Sequence, residues 1–222
     1  MSKVLKTPKS GKQGPTVSYK TPYGQAEREK GVPANPRTNA QVVARSSLSQ
    51  TASRWRSLSD QQRAAWITSG LGVRSEPRLG QSGPLTGCQL YIKINCTLAL
   101  TGEPQTDTPT ERPSFGASPV SALNITNDDG DIALKLSVPR APAQYILVLG
   151  TAPCSAGMTV PRRFVILGRL PNPVSRVSDI TDLYVARYGI PPVGSRVFIR
   201  TVQVANGWED FPKDTTAVVP KA

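Results

Sequence analysis

The chain has 222 residues, 38% of them hydrophobic and only 6% aromatic, so a core is affordable but not a generous one. It carries 27 Lys/Arg against 15 Asp/Glu, a net charge of +12, with no histidine. Without histidine the commonest general base, the Ser-His and Cys-His nucleophile pairs and the usual zinc ligand are all excluded. The charge is uneven: residues 1–100 hold 15 Lys/Arg and 4 Asp/Glu, a balance of +11, whereas residues 101–222 hold 12 and 11, a balance of +1. A basic half of this kind points to a polyanion or an acidic protein surface, or to a solvated arm that only aids solubility.

Residues 1–34 read as an extended basic arm. Lys3, Lys6, Lys9, Lys12 and Lys20 are spread among Ser, Thr, Gly and Pro, and Pro15, Pro22 and Pro33 forbid a long helix. Thr16–Thr21 suits one short strand, with Tyr19 and Tyr23 as anchors. Such an arm lacks the apolar surface to offset its own ordering, so a neighbouring subunit is expected to hold it. Met1–Gly14 is basic but has no apolar centre, and no apolar run has the length of a membrane span. The expectation is a protein without a signal peptide and without a membrane partner, assembled in a reducing cytoplasm.

Residues 35–102 are expected to form a small helical unit. Thr38 with Gln41 and Ser59 with Gln62 have the spacing of two capping boxes, each opening a helix. Ala40, Ala44, Leu48, Ala52 and Trp55 share one helix face, and Arg45 and Arg56 lie on another. The second helix carries Trp66 and is expected to stop at Gly70. Both indoles are read as core, with stacking on a nucleobase or partner as the alternative. Cys88–Leu100 alternates like a strand, while Leu90, Ile94 and Leu98 fit a helix ended by Gly102. The helix is preferred because it closes a three-helix unit over Trp55 and Trp66.

Residues 103–119, with four prolines, read as a stiff open linker, and the stretch around Pro104–Pro113 as the main protease-sensitive site. From 120 to 222 the pattern changes to short strands about ten residues apart. Leu123 and Ile125, Ile132–Val138, Tyr145–Leu149, Arg163–Leu167, Val197–Val202 and Ala217–Val219 are the strand candidates, with a short helix or turn in Ser178–Gly189. This pattern resembles an immunoglobulin-like or fibronectin type III-like β-sandwich. The fold class expected is therefore α+β.

Asp128, Asp129 and Asp131 lack the spacing and closing Glu of a calcium loop, so a hairpin turn is favoured. Cys88, Cys96 and Cys154 have no Cys-x-x-Cys spacing and read as buried free thiols. Gly11–Gly14 and Gly80–Gly83 lack the flanking strand, helix and Lys-Ser/Thr ending of a phosphate-binding loop. No catalytic, cofactor-binding or metal residue is assigned, and a non-enzymatic protein is expected.

Two resemblances bear on function. Trp55-x-x-Leu-Ser-Asp-x-x-Arg-x-x-Trp66 is similar to the helical corner of the high-mobility-group box, but the long basic first helix of that box is missing, which leaves a shared way of building a corner. The second covers roughly residues 11–100. Gly14-Pro-Thr-Val, Tyr23-Gly-Gln, Asn35-Pro-Arg-Thr-x-Ala-Gln, Trp55-x-x-Leu-x-x-x-Gln-Arg-x-x-Trp and Gly87-x-x-Leu-Tyr-x-x-x-Asn95 resemble an uncharacterised family of phage and prophage-associated structural proteins. The resemblance implies a virion role, capsid- or tail-associated, such as decorating or cementing subunits, with other copies or other virion subunits as partners. The residues expected at partner contacts are Lys3, Lys6, Lys9, Lys12, Tyr19, Lys20, Tyr23, Arg37, Arg45 and Arg56. The alternative is an architectural nucleic-acid-binding protein whose basic half meets phosphates non-specifically.

Overall fold

Two-residue turns shape the start of the chain. In the computed structural model, which describes residues 10–32, 34–35, 37–75, 82–161 and 163–221, Gly14 has φ 59°, the positive value that the first central position of a primed hairpin turn requires. It joins β1 (Gly11–Gln13) to β2 (Thr16–Thr21), and Pro22-Tyr23 joins β2 to β3 (Gly24–Glu29). The three strands form an antiparallel sheet in the order β1-β2-β3. Residues 10–32 of the arm therefore fold into a sheet: the expected strand is β2, and its turns bring in partners from the same segment. The chain divides into two units, Met1–Val43 and Ala44–Ala222. The boundary falls inside α1 (Asn39–Ser57).

The Thr38 box is only half made. The Gln41 N–H donates to Thr38 Oγ1 at 3.4 Å, while Gln41 Oε1 is buried without a partner among the described residues. From Ala44 onward, the apolar face of α1 is buried only towards the helix's C-terminal end. Leu48 stays 50% exposed, whereas Thr51 is fully buried, Ala52 and Trp55 are half-buried, and Leu58 just beyond the helix is buried.

Helix α2 (Asp60–Leu71) has a complete capping box, with Gln62 N–H donating to Ser59 Oγ at 3.2 Å and Ser59 N–H to Gln62 Oε1 at 2.9 Å. It runs past Gly70, correcting the expected stop. A Cβ on Gly70 would lie 2.5 Å from the Leu85 carbonyl oxygen, so glycine is there for close approach and not for termination. Helix α3 (Gly87–Thr101) settles the ambiguous 88–100 stretch as helical; Thr86 and Gln89 cap its start, and Gly102 at φ 76° ends it. Trp66, Tyr91, Leu90, Ile94 and Leu98 form its core with Leu58, and Tyr91 sits between Trp55 at 5.4 Å and Trp66 at 5.3 Å. Trp66 is 1% exposed and Trp55 packs on the same cluster, so both indoles serve as core.

Two antiparallel sheets follow. One has the order β4 (Ala122–Asp128), β5 (Asp131–Ser137), β8 (Val177–Asp179). In the other, β7 (Val165–Arg169) and β6 (Tyr145–Gly150) lead to the long β9 (Arg196–Ala205). The far edge of β9 pairs with both β10 (Trp208–Glu209) and β11 (Lys213–Val218). Leu134 and Leu136 of the first sheet meet Ile146, Val148, Val197 and Ile199 of the second in one core. The β4–β5 turn has Asp129 at φ 49° and Gly130 at φ 96°, a primed hairpin turn, and the Gly130 N–H donates to Asn127 Oδ1. The three cysteines are free and half-buried, not buried.

Between β8 and β9, α4 (Thr181–Tyr188) places Tyr184 fully inside, its hydroxyl donating to the Thr151 carbonyl at 2.9 Å. Burial, reinforced by Tyr188 and Cys154, pushes the Tyr184 phenol far above its ordinary value. A raised phenol pKa favours the protonated folded state. Its stabilisation is complete below about pH 10 and is lost as pH rises through the folded value. Thermal melts between about pH 8 and about pH 11 are therefore expected to fall steeply above about pH 10 in the wild type. In Tyr184→Phe they should fall less steeply, from a stability about 1 kcal/mol lower at neutral pH. Parallel curves would refute this.

Residues 103–119 are not the open linker expected. They form a strap tied to both helices and sheets. Asn95, fully buried, holds Thr106 by both backbone groups: its Oδ1 accepts from Thr106 N–H at 2.8 Å and its Nδ2 donates to Thr106 O at 3.2 Å. Trp66 Nε1 donates to Asp107 O at 2.8 Å, and Arg54 pairs with the Asp107 carboxylate at 2.9 Å. On the other side, Trp208 Nε1 donates to Thr110 O at 3.1 Å and Gln203 Nε2 to Gly116 O at 2.9 Å. Trp208 itself lies in the helical core, so residues 44–102 and 120–222 share one unit across this segment.

Candidate functional site

Side chains on neighbouring strand positions point to opposite faces, so the register of the N-terminal sheet sorts its charges. Lys12 is opposite Val17, and Val17 is opposite Arg28. These three make one row, and Tyr19 with Ala26 makes the next row on the same face. With strands about 4.8 Å apart, the Lys12 and Arg28 backbones flank Val17 across about 10 Å, and Tyr19 is about 7 Å along the strand from Val17. Tyr19 is 42% exposed, and Val17, Tyr19 and Arg28 line a shallow depression of about 310 Å³. Lys12 and Arg28 are exposed, and neither has an ion pair among the described residues.

The other face differs. Ser18 opposes Glu27, Thr16 opposes Glu29, and Lys20 opposes Gln25. Both carboxylates of the sheet are thus on this face, and Ser18 Oγ donates to Glu27 Oε1 at 3.3 Å. Across all three strands only Ser18 is buried.

The expected contact residues are therefore divided. Lys12 and Tyr19 share a face, and Lys20 is on the opposite one. Tyr23 is fully exposed in the β2–β3 turn. Arg37, at φ 47°, belongs to the loop before α1, where its N–H donates to Asn35 Oδ1. Arg45 and Arg56 are exposed on α1, three turns apart and so on one side of the helix. Lys3, Lys6 and Lys9 lie outside the described residues. Sequence reasoning missed Arg28, which completes the basic row. Pairing 16–21 with 24–29 across the Pro22-Tyr23 turn would have found it.

No family model, curated protein or solved structure matches this chain. The surface combines two cations without an ion pair among the described residues, one phenol ring and no carboxylate of the sheet on the same face.

In the second unit a cleft of about 400 Å³ opens beside α3 and the larger sheet, with Leu149, Ile166, Val202 and Phe211 in its lining. Its acids act as structural acceptors: Glu209 accepts from the Thr97 hydroxyl at 3.3 Å and Asp210 from Gln203 Nε2 at 3.0 Å. Arg200, also in the lining, is held by Asp214 at 2.7 Å. Each of these three charged groups is thus bonded to a side chain outside the lining.

Proposed function

We propose that the chain is a non-enzymatic structural protein of a phage virion, capsid- or tail-associated, anchored by its N-terminal segment. Its partners are copies of itself or other virion subunits, and assembly takes place in the host cytoplasm. The observation that carries this reading is the sheet β1–β3, in which Ser18 alone is buried. A small sheet needs an apolar face or a packing partner to be stable in water. One without a core is best explained as an element that gains its order on a surface outside it.

The second unit suits the role of a rigid projecting body. Its seven main strands place the first, second and fifth in one sheet and the third, fourth, sixth and seventh in the other. That distribution supports a fibronectin type III-like sandwich. The motifs between residues 11 and 100 that resemble the phage-associated family add to the same reading.

The test is incorporation. Particles are purified from producing cells on a density gradient, and this chain is quantified in them by mass spectrometry. Deleting residues 10–32 is expected to reduce incorporation at least tenfold while the body still melts cooperatively. Wild-type incorporation of the deletion, or absence of the full chain from particles, would overturn the proposal.

A further inference from the structure

We propose that the Lys12–Val17–Tyr19–Arg28 face of the N-terminal sheet docks single-stranded nucleic acid. This goes beyond the virion reading and does not depend on it. A single strand is recognised by two kinds of group: cations that meet phosphates and aromatic rings on which unpaired bases stack. The register puts both on one face. Lys12 and Arg28 flank Val17, Tyr19 is in the adjacent row, and the two carboxylates of the sheet are on the far side. The depression at Val17, Tyr19 and Arg28 gives a base room beside the ring. The ring is accessible, and the guanidinium has no carboxylate partner among the described residues to release before it meets a phosphate.

A duplex fits this face less well. Its bases are stacked on each other and offer no free π-face to Tyr19, so only the phosphate contacts remain. An acidic protein segment would satisfy the cations but would not use the ring in the same way. The register also supplies a matched control within the same sheet. Lys20 has the same charge as Arg28 but lies on the face with Glu27 and Glu29.

The experiment uses the full chain and fluorescence anisotropy with a labelled oligo-dT, a duplex of equal length and poly-glutamate, across a salt series. Oligo-dT is expected to bind at least tenfold more tightly than either of the others at physiological salt. Tyr19→Ile, which keeps strand propensity and removes the ring, should weaken oligo-dT binding about five- to hundredfold. Tyr19→Phe should stay within about twofold of the wild type, because it keeps the ring. Arg28→Gln should weaken binding about tenfold and lower the salt slope by about 0.7, the share of one phosphate on a single strand. Lys20→Gln should change affinity by less than about twofold, because its charge faces away. Equal losses in Arg28→Gln and Lys20→Gln, an unchanged Tyr19→Ile, or poly-glutamate or duplex bound as tightly as oligo-dT would each overturn the proposal. Paired circular dichroism spectra of Tyr19→Ile and Tyr19→Phe separate loss of the ring from loss of the sheet.

Discussion

Trp208→Ala is expected to cost about 3–5 kcal/mol, the usual range for deleting a large buried aromatic. Trp208 is 7% exposed, and the cluster it enters is made of Leu58, Trp66, Leu90, Tyr91, Ile94 and Leu98 from the helical region. The preceding turn fixes its position. Asn206 at φ 53° and Gly207 at φ 78° form a two-residue hairpin loop between β9 and β10. A Cβ on Gly207 would meet Ile94 Cγ2 at 2.6 Å and the Ile94 carbonyl oxygen at 2.8 Å, so this loop lies directly on α3. Removing the indole leaves a cavity among the helices and frees the Thr110 carbonyl that its Nε1 now serves. Because the residue belongs to β10 while its contacts belong to the helices, far-UV circular dichroism and tryptophan fluorescence should show a single transition shifted to lower temperature. Two transitions, with only one of them displaced, would mean that helices and sheets melt independently. Trp208→Phe should recover most of the loss.

Asn95→Ala is expected to cost about 2–4 kcal/mol, because it leaves the Thr106 N–H and C=O without the partners they have inside the protein. The same change should expose the strap to protease. In the wild type, residues 103–113 are held by Asn95, Trp66 and Arg54, and their proximity to core makes cleavage slow despite the prolines. Limited proteolysis followed by mass spectrometry is expected to show little cutting there in the wild type and rapid cutting in Asn95→Ala. Rapid wild-type cleavage between 103 and 113 would restore the picture of an open linker.

The helices and strands were largely legible because their signals are local. Ser59 with Gln62 defines the start of α2, and the alternation from Ile132 to Val138 gives β5 almost residue for residue. The ambiguity at 88–100 had a solution in the sequence: Thr86 and Gln89 have the same box spacing as Ser59 and Gln62 and argue for a helix. The misjudged features depend on contacts that no local window contains. Gly70 looks like a stop until α2 and the segment before α3 are placed against each other, when it becomes a point of near backbone contact. The strap looks like a linker because Pro, Thr and Glu dominate it, yet its backbone groups are satisfied by Asn95, Trp66 and Trp208. The face of α1 at Ala44 and Leu48 has helical periodicity, but periodicity identifies a face without saying that anything covers it. For the candidate surface, the sequence named Lys12 and Tyr19. Only the pairing of three strands shows that Arg28 joins them and Lys20 does not.

The seat of Trp208 sets an order on synthesis. Trp66 and Trp208 are neighbours in one core, yet the ribosome makes them 142 residues apart. Leu98, the last of the helical core side chains, still precedes Trp208 by 110 residues, so at 5–20 residues per second the helical region waits about 6–22 s before its last core side chain exists. Through that interval Leu90, Ile94 and Leu98 lack the indole that covers them, and Asn95 can engage the strap before the sheets can. A ribosome pausing in the sandwich would therefore hold a partly open helical region in view of chaperones. Synonymous codon changes between residues 120 and 200 are then a lever on the yield of folded protein, although they alter no contact in the finished structure.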